Sequence, residues 1–218
     1  MSRTSSRRAA GPDAPSVTPV FPLILLETMR DMDRPEEVLE GENLTVSMPR
    51  RLGLSDVVYL QIHKFREESK KKRLQTPAVV ADLIRLVIRR PDADEIFEEA
   101  GRRMARHAWG EKSGASRRWL RLMPSGMRLR AAARGARRLM GEISGTAELE
   151  VRSRPFSLSM RGSLTAAGDP GGAACEFYTG ALSELITQYT GRRHAAKHVR
   201  CETRGGGDSC EWTAFVAT

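Results

Sequence analysis

At 218 residues, 40% apolar and 29% charged, the chain is long enough to bury one good core and too hydrophobic to fall among disordered sequences. No stretch approaches the roughly 20 apolar residues of a membrane helix; the longest run, Val20 to Leu26, is interrupted by Pro22 and followed by Glu27. The three cysteines are an odd count, which argues against a secreted disulfide scaffold, and the net charge of +9 points to an acidic or anionic partner if it points to any.

In chain order, residues 1 to 16 are Ser, Arg, Pro, Gly and Ala rich and read as a disordered leader. Arg7-Arg8 does not make an export signal, because Gly11, Pro12, Asp13 and Pro15 separate it from the apolar run and no small-residue cleavage site follows. A cytoplasmic protein with no membrane span is the expectation. Phe21 to Met29 opens an apolar segment, and Gly41, Pro49 and Gly53 mark a loop. Ser55 is a fit N-cap for a helix carrying Val58, Ile62 and Phe65 and ending in basic residues, Lys70 to Arg73. Thr76-Pro77 restarts the chain as a helix with Val80, Leu83, Ile84, Val87 and Ile88 at helical spacing, closed by Arg89-Arg90-Pro91. Asp94-Glu95 opens the next helix, through Ile96, Phe97 and Met104. Two basic helices follow, one capped by Ser116 and carrying Trp119, Leu120 and Met123, the other capped by Ser125 and ending near Met140-Gly141.

At Gly145 the period changes from 3.6 to 2. Ala147, Leu149 and Val151 alternate with charged residues, and Phe156, Leu158 and Met160 alternate with Ser157, Ser159 and Arg161, so two strands are expected. A glycine loop, Gly168 to Gly172, leads to a helix from about Cys175 to Tyr189 with Gly191 as its C-cap. The chain closes as a hairpin, Lys197 to Thr203 and Ser209 to Ala217, around Arg204-Gly-Gly-Gly-Asp208. The reading is an α+β fold: N-terminal helices, then β-β-α-β-β with a mainly antiparallel sheet. Residues 17 to 75 are expected to form an N-terminal helical extension, and residues 76 to 218 the α+β domain.

All three cysteines lie in the last 44 residues. A turn centred near Gly206 sets Cys201 opposite or nearly opposite Cys210, a separation of about 4.5 to 5.5 Å between Cβ atoms. Cys175, at the start of the preceding helix, closes over the same edge, and His198 supplies a fourth ligand. Three cysteines and one histidine suit a closed tetrahedral zinc site. Residues three apart on a regular strand face opposite sides, so His198 and Cys201 can share an ion only if the strand bends or bulges between them. Buried cysteines acting as small hydrophobes, or a Cys201–Cys210 disulfide, are the competing readings.

The blocks Cys175-Glu-Phe-Tyr178-Thr-Gly180, His198-Val-Arg-Cys201 and Gly-Gly-Asp-Ser-Cys210-Glu-Trp, in that order, resemble the 4-vinyl reductase domain family over about residues 145 to 217. That resemblance implies a mixed fold similar to subunits of the TRAPP vesicle-trafficking complex. It also implies structural Zn2+ on Cys175, Cys201 and Cys210, as in the family's zinc-containing hydrocarbon and phenol sensors, with His198 where the family usually has an acidic residue. Members of known role bind small hydrophobic molecules between sheet and helices. The corresponding pocket candidates are Trp119, Phe156, Leu158, Met160, Tyr178 and Leu182, all of which ordinary core packing would equally place inside.

The charge is concentrated. Between Arg102 and Arg138 stand 12 basic residues against one acid, Glu111. Arg130, Arg134, Arg137 and Arg138 share one helical face, opposite Leu129, Ala132, Ala136 and Met140, and form a candidate anion-binding surface or a solvated one. Enzyme signatures are missing: Ala105 to Ser113 lacks the first glycine and the Gly-Lys of a phosphate loop, and His63, His107 and His194 have no catalytic company in sequence. The reading is a non-catalytic sensor module, homodimeric, zinc-stabilised, binding a small hydrophobic ligand and signalling through a protein partner. The alternatives are an accessory protein or enzyme of tetrapyrrole vinyl reduction, and a basic adaptor for nucleic acid or anionic lipid.

Overall fold

A computed structural model describes residues 16–33, 55–144, 147–205 and 207–217. The expected leader, apart from Ser16, and the loop around Gly41, Pro49 and Gly53 lie outside the described residues, as do Gly145 and Gly206. Among those described there are eight α-helices and four strands: α1 (Val20–Met32), α2 (Asp56–Lys70), α3 (Pro77–Val87), α4 (Ala93–Gly110), α5 (Gly114–Leu122), α6 (Ser125–Ser144), β1 (Glu148–Ser153), β2 (Phe156–Arg161), α7 (Leu164–Gly168), α8 (Glu176–Thr190), β3 (His194–Arg200) and β4 (Cys210–Val216). The architecture is α+β, helices first, with a sheet of order β1-β2-β4-β3 that is antiparallel throughout.

Local chemistry accounts for several element ends. The Ser55 hydroxyl accepts from Val58 N at 3.3 Å and starts α2, and Pro77 occupies the first turn of α3, where its missing N–H costs nothing. Ser113, rather than Ser116, caps α5 by accepting from Ser116 N at 3.2 Å, because the helix begins at Gly114, two residues before the expected cap. Helix α6 runs through the expected stop at Met140-Gly141 to Ser144. Its buried stripe of Ala132, Ala136, Leu139 and Met140 is continued by Ile143, and packing outweighs the local cost of a glycine. Gly191 ends α8 in the left-handed region, φ 69°, its N–H donating to Thr187 O at 2.8 Å.

The centre of the molecule is the contact between α4 and α8. A Cβ on Gly101 would overlap the Phe177 carbonyl oxygen, and one on Gly180 the Glu98 carbonyl oxygen, so the two backbones touch through reciprocal glycines. Helix α1, placed by sequence in an N-terminal extension, shares this core: the Phe21 ring meets Phe177 edge-on at 4.8 Å. Ion pairs Arg90–Asp33 (2.7 Å) and Arg103–Asp31 (2.6 Å) fasten the end of α1 to the region of α4. Strands β2 and β4 turn Leu158, Met160, Cys210 and Trp212 inward, all fully buried, and leave Ser157, Ser159, Glu211 and Thr213 on the other side.

Candidate metal centre

Cys175, His198, Cys201 and Cys210 come together at one corner of the sheet, their ligand atoms all within 4.8 Å of one another. Each arrives from a different piece of local structure. Asp169 shapes the loop before α8, accepting from Gly171 N at 2.8 Å and Ala174 N at 2.7 Å, and a 3-10 turn, Ala173–Cys175, delivers the first sulfur to the N-terminus of α8. Gly172 has φ 79°, and a Cβ there would stand 3.1 Å from Cys201 Sγ and 2.8 Å from Arg204 Nε, so the loop passes the cluster where only glycine fits.

The hairpin supplies the other three ligands. Strand β3 pairs His198 with Trp212 and then Arg200 with Glu211, a register shift that makes Val199 the extra residue. This is the bulge that a shared site for His198 and Cys201 requires, and it turns Val199 outward, 49% exposed, while both ligands face the cluster. His198 lies flat on Trp212, centroids 4.5 Å apart and planes 9° from parallel, which fixes the ring's orientation. Its Nε2 is buried and has no hydrogen-bond partner. An imidazole whose ligand nitrogen lies within 4.8 Å of three cysteine sulfurs fits a metal-binding role.

Outer contacts support the sulfurs. Glu202 N donates to Cys210 Sγ at 3.4 Å, Thr203 Oγ1 is 3.0 Å from Cys201 Sγ, and Thr165 Oγ1 is 3.7 Å from Cys175 Sγ. The Glu202 carboxylate accepts from Gly162 N and Ser163 N at 3.2 and 3.3 Å, tying the turn after β2 to the cluster. The Cys175 thiol beside Cys210 holds the latter's pKa well below the ordinary thiol range against the effect of burial, with His198, the Glu202 N–H and Cys201 adding to it. The same pairing, together with burial, pushes Cys175 up. The donor set of three sulfurs and one imidazole suits a borderline-soft, tetrahedral cation.

Phe156, Leu158, Met160, Tyr178 and Leu182 are all buried between sheet and helices. Trp119 does not join them: α5 is held by Leu120 alone and leaves the indole 64% exposed. Trp212 takes the place expected of it, meeting the Tyr178 ring at 5.1 Å; the alternation Cys210, Trp212, Ala214 along β4 carried that signal. Trp212 Nε1 is buried without a hydrogen-bond partner, and burial pushes the Tyr178 hydroxyl up against the opposing pull of its hydroxyl neighbours Ser144 and Thr165. Arg130, Arg134, Arg137 and Arg138 are exposed along α6, and Arg138 pairs with Glu142 at 2.9 Å. Among the described residues no helix is long and apolar enough to cross a membrane. His63 and His107 are exposed and His194 bonds locally to Arg192 O at 2.8 Å, so none of the three enters the cluster. The Glu202, Thr203 and Thr165 contacts were not foreseen; they depend on loop closure, for which the spacing of the ligands gives no cue.

Comparison with protein-family models, with curated proteins and with solved structures finds no match to this chain.

Proposed function

We propose that this is a zinc-stapled, non-catalytic ligand-binding module of the kind its 4-vinyl-reductase-like motifs suggest. It takes a small hydrophobic molecule carrying one polar group between sheet and helices, and passes the state of that pocket to a partner protein or a second copy by contact. The observation that carries the reading is the Cys3His cluster, with the orphaned Nε2 of His198 completing it. Zinc bound there supplies a closed tetrahedral link among the N-terminus of α8, the end of β3 and the start of β4. A closed site leaves no open position for a substrate, which favours a structural role over a catalytic one.

Ligand binding draws support from another orphan. Trp212 Nε1 is a donor buried beside apolar side chains, at a cost of about 1–3 kcal/mol while unpaired, and the Tyr178 ring that it meets carries a second polar group. A small aromatic alcohol satisfies such groups and adds apolar contact. Metal analysis of the purified chain should return about one zinc per chain; fully folded, metal-free protein with three titratable thiols overturns the structural reading. Calorimetric titration of the zinc-loaded protein with phenol should give saturable binding that Tyr178→Phe weakens, and absence of any binding removes the sensor reading while leaving the metal site standing.

A further inference from the structure

The opposite end of α8 carries a second site. Helix α8 has 15 residues, so its C-terminus lies about 20 Å from the metal corner. There a recess of about 280 Å³ is lined by Trp109 of α4, Leu120 and Arg121 of α5, Arg128 of α6, Tyr189 of α8 and Arg193, with Thr187, Gln188 and Gly191 completing the wall. No carboxylate lines it. We propose that this recess binds a small organic anion, a carboxylate or phosphate monoester attached to one aromatic ring.

The guanidinium charge is uncompensated. Arg121, Arg128 and Arg193 form no ion pair among the described residues, in contrast to the many arginines of α4 that pair along their own helix. Arg128 is the half-buried one. Its Nη1 donates to Thr190 O at 2.6 Å, at the negative end of the α8 dipole, while its Nε is buried without any acceptor. A guanidinium whose charge no carboxylate balances is the group that a carboxylate or phosphate is suited to meet, in bidentate fashion where two N–H groups are free. Three positive groups around one recess also repel each other, and an anion relieves that repulsion.

The aromatic requirement comes from the other wall. Trp109 and Tyr189 pack at 5.0 Å and 59°, and with Leu120 they give the recess an apolar side facing the arginines. The volume lies at the small end of ligand pockets and suits a single ring with its charged group. Sequence places Arg121 and Arg128 in the basic stretch but gives no reason to join them to Arg193, some 65 residues further on.

Titration calorimetry of the zinc-loaded full chain with phenyl phosphate and benzoate tests this, with inorganic phosphate and benzyl alcohol as controls. At least one of the two aromatic anions should bind one per chain, at least tenfold more tightly than inorganic phosphate, and benzyl alcohol should show no binding that competes with it. Arg128→Gln should weaken binding at least tenfold. Arg121→Gln and Arg193→Gln, at exposed positions, should each weaken it severalfold without altering zinc content. Absence of saturable binding by both aromatic anions, equal affinity for inorganic phosphate, or unchanged affinity in the Arg121→Gln/Arg193→Gln double variant overturns the proposal. Because this recess is distant from the phenol titration site, loss of one activity without the other separates the two readings.

Discussion

The two ends of α8 carry opposite chemistry. At the N-terminus Cys175 brings a sulfur ligand to the start of the helix; at the C-terminus Arg128 brings a guanidinium to the Thr190 carbonyl at the negative pole. The difference is closure. The cysteine end is buried, convergent and supported by hydrogen bonds to its sulfurs, whereas the arginine end is a recess with charge left over. One end gathers four candidate metal ligands in a closed corner, and the other has donors to spare.

The largest effect should come from opening the closed end. On the proposed zinc staple, replacing Cys175 with Ser, or treating the protein with a chelator, removes the link among α8, β3 and β4. The link is local to that corner, so the hairpin should lose its protected amides in hydrogen exchange while α1 and α4 keep theirs. Uniform protection in the chelated protein would show that both ends are held by packing alone.

Gly180→Ala comes next and acts on what joins the ends. The added methyl meets the Glu98 carbonyl, which belongs to a helix backbone and has no rotamer in which to escape. Separating α4 from α8 should cost about 3 kcal/mol, far more than the gain in helix propensity, about 1 kcal/mol. Thermal unfolding would register it as a clear fall in Tm. An unchanged Tm would mean that the helices slide apart without loss, and that the core is looser than its reciprocal glycines indicate.

His198→Ala sharpens the comparison on the metal side. Loss of a ligand should weaken zinc by more than the 10- to 100-fold typical of removing an outer support, as read by competition with a chelating dye. His198→Cys should recover much of it, since four sulfurs also close a tetrahedral site. If alanine left the affinity unchanged, the fourth ligand would be another group, and the orphaned Nε2 would need a different partner.

The contrast between the ends also explains what the sequence made legible. The metal corner could be read because cysteines are few and because a strand's period of two is rigid: His198 and Cys201 demanded a bulge, and the shift at Val199 supplies it. Helices α2, α3 and α8 were legible through Ser55, Pro77 and Gly191, residues whose backbone preferences act locally. Trp119 is a pocket candidate only through the family resemblance, and nothing in its local sequence fixes which side of the helix is covered. A nine-residue helix can bury little, and this one keeps only Leu120. The α4–α8 contact through Gly101 and Gly180 was not read, because a glycine within a helical pattern gives no sign of which backbone approaches it. The arginine recess was hidden for a related reason: Arg128 and Arg193 become neighbours only once α6 and the end of α8 are packed, and nothing periodic connects them.

The smallest expected change in stability is at the open end. Arg128→Gln removes one charge-assisted hydrogen bond to Thr190 O from a helix terminus that Gly191 already caps, and this should cost about 1 kcal/mol. It also removes one of three mutually repelling charges, which offsets part of that loss. The variant should therefore fold, retain its zinc and unfold within a few degrees of the parent, while its affinity for phenyl phosphate falls at least tenfold. A loss of folding comparable to that of Cys175→Ser would make Arg128 a structural clamp, and the two ends of α8 would then differ in chemistry but not in purpose.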